Sequence, residues 1–269
     1  MTFKLKIILF YIILFLSCNA NPKKLKIITN LPDSLKEASA IELINNSKLL
    51  WTIEDSGNKS NIYGLNRTGN IIKKIDIKNA KNKDWEDLSS DKEGNLYIGD
   101  FGNNEKKRKL FTIYKIDDLN TKKTKAKRID FTLPKQIKSK DFEAFFLLNN
   151  HFYIFSKESK SCVLIKVPNK IGKHTAKLVS NFKLDGKNNE ITGAAINNKK
   201  NTIVLLNHKK LWKLTNFKGD AFFKGDIEAL KFDDNSQKEG ICFKNSSTVY
   251  ITDEKTNNRG GNLYEFKIN

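Results

Sequence analysis

Cysteine and histidine are scarce in this chain, which contains three of each among 269 residues. His151, His174 and His208 are isolated, and no spacing between them and the cysteines matches a zinc-binding pattern. Cys162 and Cys242 fall in two sequence repeats that are not neighbours along the chain. We therefore predict that both are buried free thiols and that they form no disulfide.

Arginine is rare as well, although the formal net charge is +19. It occurs only at Arg67, Arg108, Arg128 and Arg259, so lysine carries nearly all of the positive charge and is spread along the chain. Bidentate recognition of phosphate favours arginine. We therefore predict a solvated basic surface and no nucleic-acid partner. Attraction to anionic polysaccharide or lipid headgroups is the alternative.

The short motifs of several common enzyme classes are also missing. The sequence contains no GxSxG nucleophile elbow, no P-loop and no dinucleotide-binding fingerprint. Motifs therefore assign neither a reaction class nor a catalytic residue.

The N-terminus has the pattern of an export signal. Lys4 and Lys6 precede an apolar run at 7–16, a length typical of a signal peptide and too short to span a bilayer. Residues 15–19, Phe-Leu-Ser-Cys-Asn, resemble a bacterial lipobox, which implies cleavage after residue 17 and lipidation of Cys18. An ordinary secretory signal and an uncleaved anchor are the alternatives.

This interpretation divides the chain into a signal peptide (1–17), a lipidated tether (18–24) and a single domain (25–269). The mature protein is expected outside the cytoplasm, attached to a bacterial membrane by the lipid on Cys18. The residue after the cysteine is Asn19 and not an aspartate, which favours transport of the lipoprotein to the outer membrane.

Five related units follow one another along the domain, about 50 residues apart, a period typical of four-stranded propeller blades. Each unit has a short apolar segment that carries polar residues, then a more apolar strand and then an alternating strand. The first four also have a polar fourth strand. The first segments are at 37–41, 84–88, 141–145, 190–194 and 237–241.

The fifth unit lacks a fourth strand, because the chain ends just after its third strand. A strand-forming segment at 25–31 precedes the first unit and has no immediate partner. Pairing of this segment with the C-terminal blade would remove exposed sheet edges. We therefore predict an all-β, five-bladed β-propeller closed in this way, with a six-bladed ring as the alternative.

The first strand of a propeller blade lines the central axis, and side chains two residues apart share one face of a strand. The repeated polar pairs should therefore form two stacked rings along the axis, and the residues that end the second strands should lie near one mouth of it. The polar residues expected at this mouth are Asp55, Asp84, Asp141, Lys157, Glu190, Thr192 and His208.

So many carboxylates around one axis need compensation by cations, protons or hydrogen bonds. Clusters of oxygen ligands suit calcium and other hard cations. One interpretation is a Ca²⁺ site built from Glu86, Glu143, Glu239, Asp100 and Glu254. The alternative is a structural network in which the acids accept backbone N–H groups and pair with Lys157.

Several segments resemble a family of exported bacterial β-propeller proteins that are mostly of unknown function. The resemblance implies the propeller fold and a location outside the cytoplasm. More distantly, the chain is similar to phytase-like, esterase-like and SdiA-regulated propellers, in which axial acids can hold calcium. The matching segments are Trp-Thr-Ile-Glu-Asp-Ser-Gly (51–57), Asp-Trp-Glu-Asp (84–87), Ile-Gly-Asp-Phe-Gly-Asn-Asn (98–104), Ile-Thr-Gly-Ala-Ala (191–195) and Glu-Gly-Ile-Cys-Phe (239–243).

Three functions are compatible with this pattern. The first is a monomeric, membrane-anchored binding module that engages a glycan, a peptide or a metal at the acidic mouth. The second is a calcium-dependent hydrolase of the phytase-like or esterase- or lactonase-like kind, with Glu86, Glu143 and Glu254 as metal ligands. The third is a structural partner within an envelope protein complex.

Overall fold

The computed structural model describes residues 24–45, 47–186, 189–257 and 259–269. The predicted signal peptide, Cys18 and the tether up to residue 23 lie outside the described residues. Within the described ranges the helical segments are two 3₁₀ turns, Asp33–Leu35 and Phe222–Lys224, and neither is long enough to cross a membrane. The all-β prediction is confirmed.

The strands form five sheets in the order that the repeats predict. β1 (Lys26–Asn30) precedes the first blade, which contains β2 (Leu50–Thr52), β3 (Asn61–Leu65) and β4 (Ile71–Ile77). The second blade contains β5 (Trp85–Ser90), β6 (Leu96–Asp100), β7 (Phe111–Ile116) and, after the short strand β8 (Lys123–Thr124), β9 (Lys127–Thr132).

The remaining blades follow the same pattern. The third contains β10 (Phe142–Leu148), β11 (His151–Ser156), β12 (Cys162–Pro168) and, after β13 (Gly172–Thr175), β14 (Lys177–Phe182). The fourth contains β15 (Gly193–Ile196), β16 (Ile203–Leu206), β17 (Lys210–Thr215) and β18 (Asp226–Lys231). The fifth contains β19 (Lys238–Asn245), β20 (Thr248–Asp253), β21 (Asn262–Lys267) and β1. The five-bladed propeller is confirmed, and the six-bladed alternative is wrong.

β1 takes the outermost position of the fifth blade, antiparallel to β21, with Lys26 opposite Glu265 and Asn30 opposite Asn262. The side-chain amide of Asn30 donates to Asn262 Oδ1 over 2.9 Å. One cluster of buried apolar residues spans the fifth and first blades and includes Tyr63 and Tyr250. Similar clusters fill the spaces between the other successive blades. Cys162 and Cys242 are buried free thiols, as predicted.

The first blade differs from the prediction at its inner segment, 37–41. The segment forms no continuous strand and makes only isolated bridges, from Ala38 to Glu54 and from Glu42 to Trp51. Backbone hydrogen bonds join Ser39 to Ile53 and Asp55 to Glu37, and two hydroxyl groups add further bonds. The Ser39 hydroxyl donates to the carbonyl of Trp85 (3.1 Å), and the Thr52 hydroxyl donates to the carbonyl of Ala40 (2.6 Å).

Two short strands pair with the outer edge of the preceding blade, a feature that the repeat pattern did not predict. β8 leaves the second blade and pairs in parallel with Asp76 and Ile77 of β4 in the first. β13 leaves the third blade and pairs in parallel with four residues of β9 in the second. Each segment covers part of the outer edge of the preceding blade and ties neighbouring blades together.

Candidate functional site

Three of the predicted glutamates reach the axis through β-bulges. In β5, Trp85 pairs with Asp100 and Asp87 pairs with Gly99, so Glu86 between them has no partner on β6. Glu143 and Glu239 occupy the same kind of position in β10 and β19. A bulge bends its strand and turns a side chain in a new direction. The three carboxylates therefore point away from the ladders of their own blades.

Carboxylates from four blades converge at the end of the axis where these inner strands begin. We call this group the acidic mouth. Its members are Glu37, Asp55, Asp84, Glu86, Asp141, Glu143, Glu239 and Glu254.

Lys157 supplies a positive charge inside the acidic mouth. Its ammonium lies 2.6 Å from Glu143 Oε2, and its side chain is 25% exposed. Burial by itself would lower the pKa of Lys157, but the attraction of Glu143 and Glu239 raises it above the ordinary value. Lys157 is therefore a charged ammonium that neutralises part of the acidic mouth.

Glu86 has no comparable partner. It is only 8% exposed, and its carboxylate makes no hydrogen bond or ion pair with any residue that the structure describes. Burial, and then the charge of Glu143, raise the pKa of Glu86 well above the ordinary value. A buried carboxylate without a partner is costly, so this position favours a proton or an external cation.

Glu86 lies beside two further carboxylates. One oxygen each of Asp55, Asp84 and Glu86 lie within 4.8 Å of one another, close enough for all three to bind one metal ion. Gly102 packs directly against Asp84 and Glu86, and a Cβ at this position would overlap both carboxyl groups. A larger residue at position 102 would therefore have to displace these two carboxyl groups.

Asp100, a predicted metal ligand, is engaged elsewhere. Arg108 forms an ion pair with its Oδ1 at 3.0 Å, and the backbone N–H of Asp84 donates to the same oxygen over 3.2 Å. Arg108 also donates to the carbonyls of Asp100 and Gly102, over 2.9 Å each. Asp100 and Arg108 thus stabilise the turn that places Gly102 next to Asp84 and Glu86.

The remaining acids of the mouth have single neutral or weakly basic partners. Glu239 lies 3.2 Å from His208 Nε2, and Gln237 donates to Glu254 over 2.7 Å. Burial and the charge of Glu239 raise the pKa of Glu254 to about 8. In addition, the Asn58 amide donates to Glu37 (2.6 Å), and the backbone N–H of Asn103 donates to Asp141 (2.7 Å).

The fourth blade contributes little to this site, contrary to the expectation of complete rings. The Thr192 hydroxyl donates to the carbonyl of Lys238 over 2.7 Å and so ties the fourth blade to the fifth. The charge of Glu190 acts on Lys210 and Cys162, whereas the pKa values of Glu86, Glu143 and Glu254 are raised by burial and by other acids of the mouth. The acidic mouth is therefore one-sided.

Asp87 is the residue that the sequence reasoning missed. It is fully buried, and its carboxyl accepts the N–H of Leu88 (2.8 Å) and that of Phe145 in the third blade (3.0 Å). The backbone of Ala194 in the fourth blade also acts on this carboxyl and favours its charged form. Asp87 thus lies where the inner strands of three blades meet. Asp87 is the second aspartate of the Asp-Trp-Glu-Asp segment, which the sequence analysis did single out. The direction of its side chain depends on the bulge at Glu86, which the sequence does not predict.

The raised pKa values predict how stability depends on pH. The pKa of Asp84 is raised to about 6, mainly by burial and then by Asp55, and that of Glu254 to about 8. An acid whose pKa is raised on folding stabilises the protein while it is protonated, and this contribution is lost as pH rises through the folded-state value. Without metal, we expect the melting temperature to fall by roughly 5 °C between about pH 5 and pH 9.

Scanning calorimetry in chelator measures this change. Acids with lowered pKa values, such as Asp234 at about 2, stay ionised across the whole interval and do not contribute to it. A double variant, Asp84→Asn with Glu254→Gln, should show a smaller decline. A melting temperature that rises from pH 5 to pH 9 would contradict the raised pKa values.

Comparisons with known proteins agree with this architecture. Comparison with curated protein sequences finds no significant match. Among solved structures, the chain is similar to one in the crystal structure of a nidogen/laminin complex, with a TM-score of 0.53 and 11% sequence identity over 81% of this chain and 72% of that one. At this identity the likeness shows the propeller fold alone. The family model described as SdiA-regulated matches residues 23–259, nearly the whole domain, and the chain therefore belongs to the SdiA-regulated family.

Proposed function

We propose that this propeller is a binding module whose acidic mouth takes up a divalent, oxygen-liganded cation, with Ca²⁺ as the candidate, and presents it to a ligand. The observation that carries the proposal is Glu86, a nine-tenths buried carboxylate without a partner among the described residues. It lies within 4.8 Å of the carboxylates of Asp55 and Asp84. A cation at these three residues would compensate charges that the protein itself leaves unpaired.

The chemistry of the donors supports calcium. The candidate ligands are all carboxylate oxygens, which hard cations prefer, and the nearest imidazole, His208, lies against Glu239. The predicted lipid on Cys18 would hold the module at the bacterial surface. Extracellular calcium modules typically bind in the range of about 0.1–1 mM. We expect an affinity in this range, because Lys157 competes for part of the negative charge.

Calorimetric titration of the chelator-treated protein with Ca²⁺ tests the proposal. We expect one site, and we expect Glu86→Gln to weaken binding by about tenfold or more because a negatively charged ligand is lost. Glu105→Gln is the matched control, since Glu105 is an exposed acid paired with Lys107 on the surface. Absence of heat and of any shift in melting temperature at millimolar Ca²⁺ would refute a calcium site.

A further inference from the structure

The outer edge of the first blade is only partly covered. β8 pairs with Asp76 and Ile77 of β4 and leaves residues 71–75 of that strand without an outer neighbour among the described residues. By comparison, β13 pairs with four residues of β9 in the next blade. The first blade therefore carries β8 as an incomplete outermost strand, and an open edge continues beyond it.

The open edge offers backbone hydrogen-bonding groups. Asp76 and Lys78 donate their backbone N–H groups outward, to the carbonyls of Lys122 and Thr124. Strand alternation places the N–H and C=O of Lys74 on the same edge, and neither is bonded to a described residue. Unpaired groups of this kind are a template for another extended segment.

A β-bulge next to this edge turns an apolar side chain outward. Gly64 pairs with Lys73 while Leu65 pairs with Ile71, so Ile72 is the extra residue of the bulge. Ile72 is 60% exposed, the highest value among the exposed large hydrophobic residues. It supplies an apolar contact at the entrance of the groove described next.

A groove of about 740 Å³ runs between β4 and the loop that leads into β8. Its charge is strongly biased. Asp76, its one acid, already forms an ion pair with Lys78 at 2.6 Å. Lys73 and Lys122 form no ion pair with a described residue, and Lys74, which lies over the Tyr63 ring, acts electrostatically on Asp76 and Glu54. The lining residues are Leu49, Ile72, Lys73, Lys74, Asp76, Asn120 and Lys122.

We propose that this groove binds a short, extended, acidic segment of a partner protein, which pairs with the open edge of β4 near Lys74 and continues the line of β8. Main-chain hydrogen bonds would provide affinity, and the three lysines with Ile72 would provide selectivity for alternating acidic and apolar residues. A second copy of this chain is disfavoured as the occupant, because its net charge of +19 would face the same lysines. This proposal is independent of the cation site.

The probe is a fluorescently labelled octapeptide of alternating glutamate and valine, titrated with the full mature domain and followed by fluorescence anisotropy. We expect saturable binding with a dissociation constant on the order of 10–100 μM. The triple variant Lys73→Glu, Lys74→Glu, Lys122→Glu should weaken binding by about tenfold or more. A lysine–valine octapeptide should not bind, and N-methylation of alternate residues in the probe should weaken binding because strand pairing needs free N–H groups.

The matched control is a triple charge reversal at exposed lysines elsewhere, Lys160→Glu, Lys199→Glu, Lys218→Glu. It changes the net charge equally and should leave binding within about twofold. Equal losses in both triple variants would mean general electrostatic attraction and would overturn the proposal. No saturable binding up to about 1 mM protein would overturn it as well. Both triple variants are checked for an unchanged melting temperature.

Discussion

Replacing Asp87 with alanine is expected to lower the free energy of unfolding by about 3–5 kcal/mol. The Asp87 carboxyl is fully buried and accepts backbone N–H groups from Leu88 and from Phe145. Alanine would leave these donors unpaired in the interior, at about 1–3 kcal/mol for each, and would create a cavity between the inner strands. Denaturant unfolding followed by tryptophan fluorescence measures the loss.

Two further variants separate the lost acceptor from other effects. Burial raises the pKa of Asp87 well above the ordinary value, so its carboxyl favours the protonated form. Asp87→Asn keeps the shape and one carbonyl acceptor and should cost less than alanine. Asp84→Ala removes a partly exposed acid of the mouth and should be close to neutral, because it relieves repulsion from Asp55. A loss for Asp87→Ala no greater than that for Asp84→Ala would contradict the role assigned to Asp87.

Replacing Lys157 with methionine is expected to have opposite effects on the metal-free and the Ca²⁺-loaded protein. The ammonium lies 2.6 Å from Glu143 and acts on Glu239 and Glu86 as well. Without metal at about pH 8, its removal leaves Glu143 buried and unpaired and should cost about 1–3 kcal/mol. With Ca²⁺, the loss of a competing positive charge should raise the affinity by about tenfold or more.

Thermal unfolding in chelator and calorimetric titration with Ca²⁺ measure these two effects. Lys160→Met, an exposed position three residues later, is the matched control and should change neither quantity. If neither variant nor the parent protein binds Ca²⁺, the cation proposal fails, while the loss of stability still tests the ion pair. Equal Ca²⁺ affinities in the parent and in Lys157→Met would show that Lys157 does not compete for the site.

The sequence predicted several acids of the acidic mouth, but it did not predict which residues they pair with. Glu86, Glu143, Glu239 and Glu254 were predicted together on the basis of equivalent positions in the repeats, and the structure brings them to one end of the axis. Asp100 was grouped with them because it ends a second strand. Its actual partner, Arg108, is eight residues away across a turn, a distance at which no repeat pattern predicts contact.

The same limit applies to the outer edges of the blades. The repeat pattern did not predict that the Lys-rich segment between β7 and β9 pairs with β4 of the preceding blade. β8 has only two residues, which is too short for an alternating pattern to be recognised. Their place is set by which neighbouring edge is free once the blades have packed, so the groove beside β4 could not be found from the chain alone.

The sequence alone predicted the five blades and the order of their main strands, because period-two alternation and a repeat of about 50 residues are local properties of the chain. The tertiary structure decided which acids lie together at the axis and which of them have partners. Bulges at Glu86, Glu143 and Glu239 redirect their side chains, and the pairing of β10 with β11 in the third blade brings Lys157 to Glu143, whereas Glu86 in the second blade has no such partner among the described residues. The reason is physical: charge compensation depends on the distances between side chains of neighbouring strands and blades, which a periodic sequence pattern does not define.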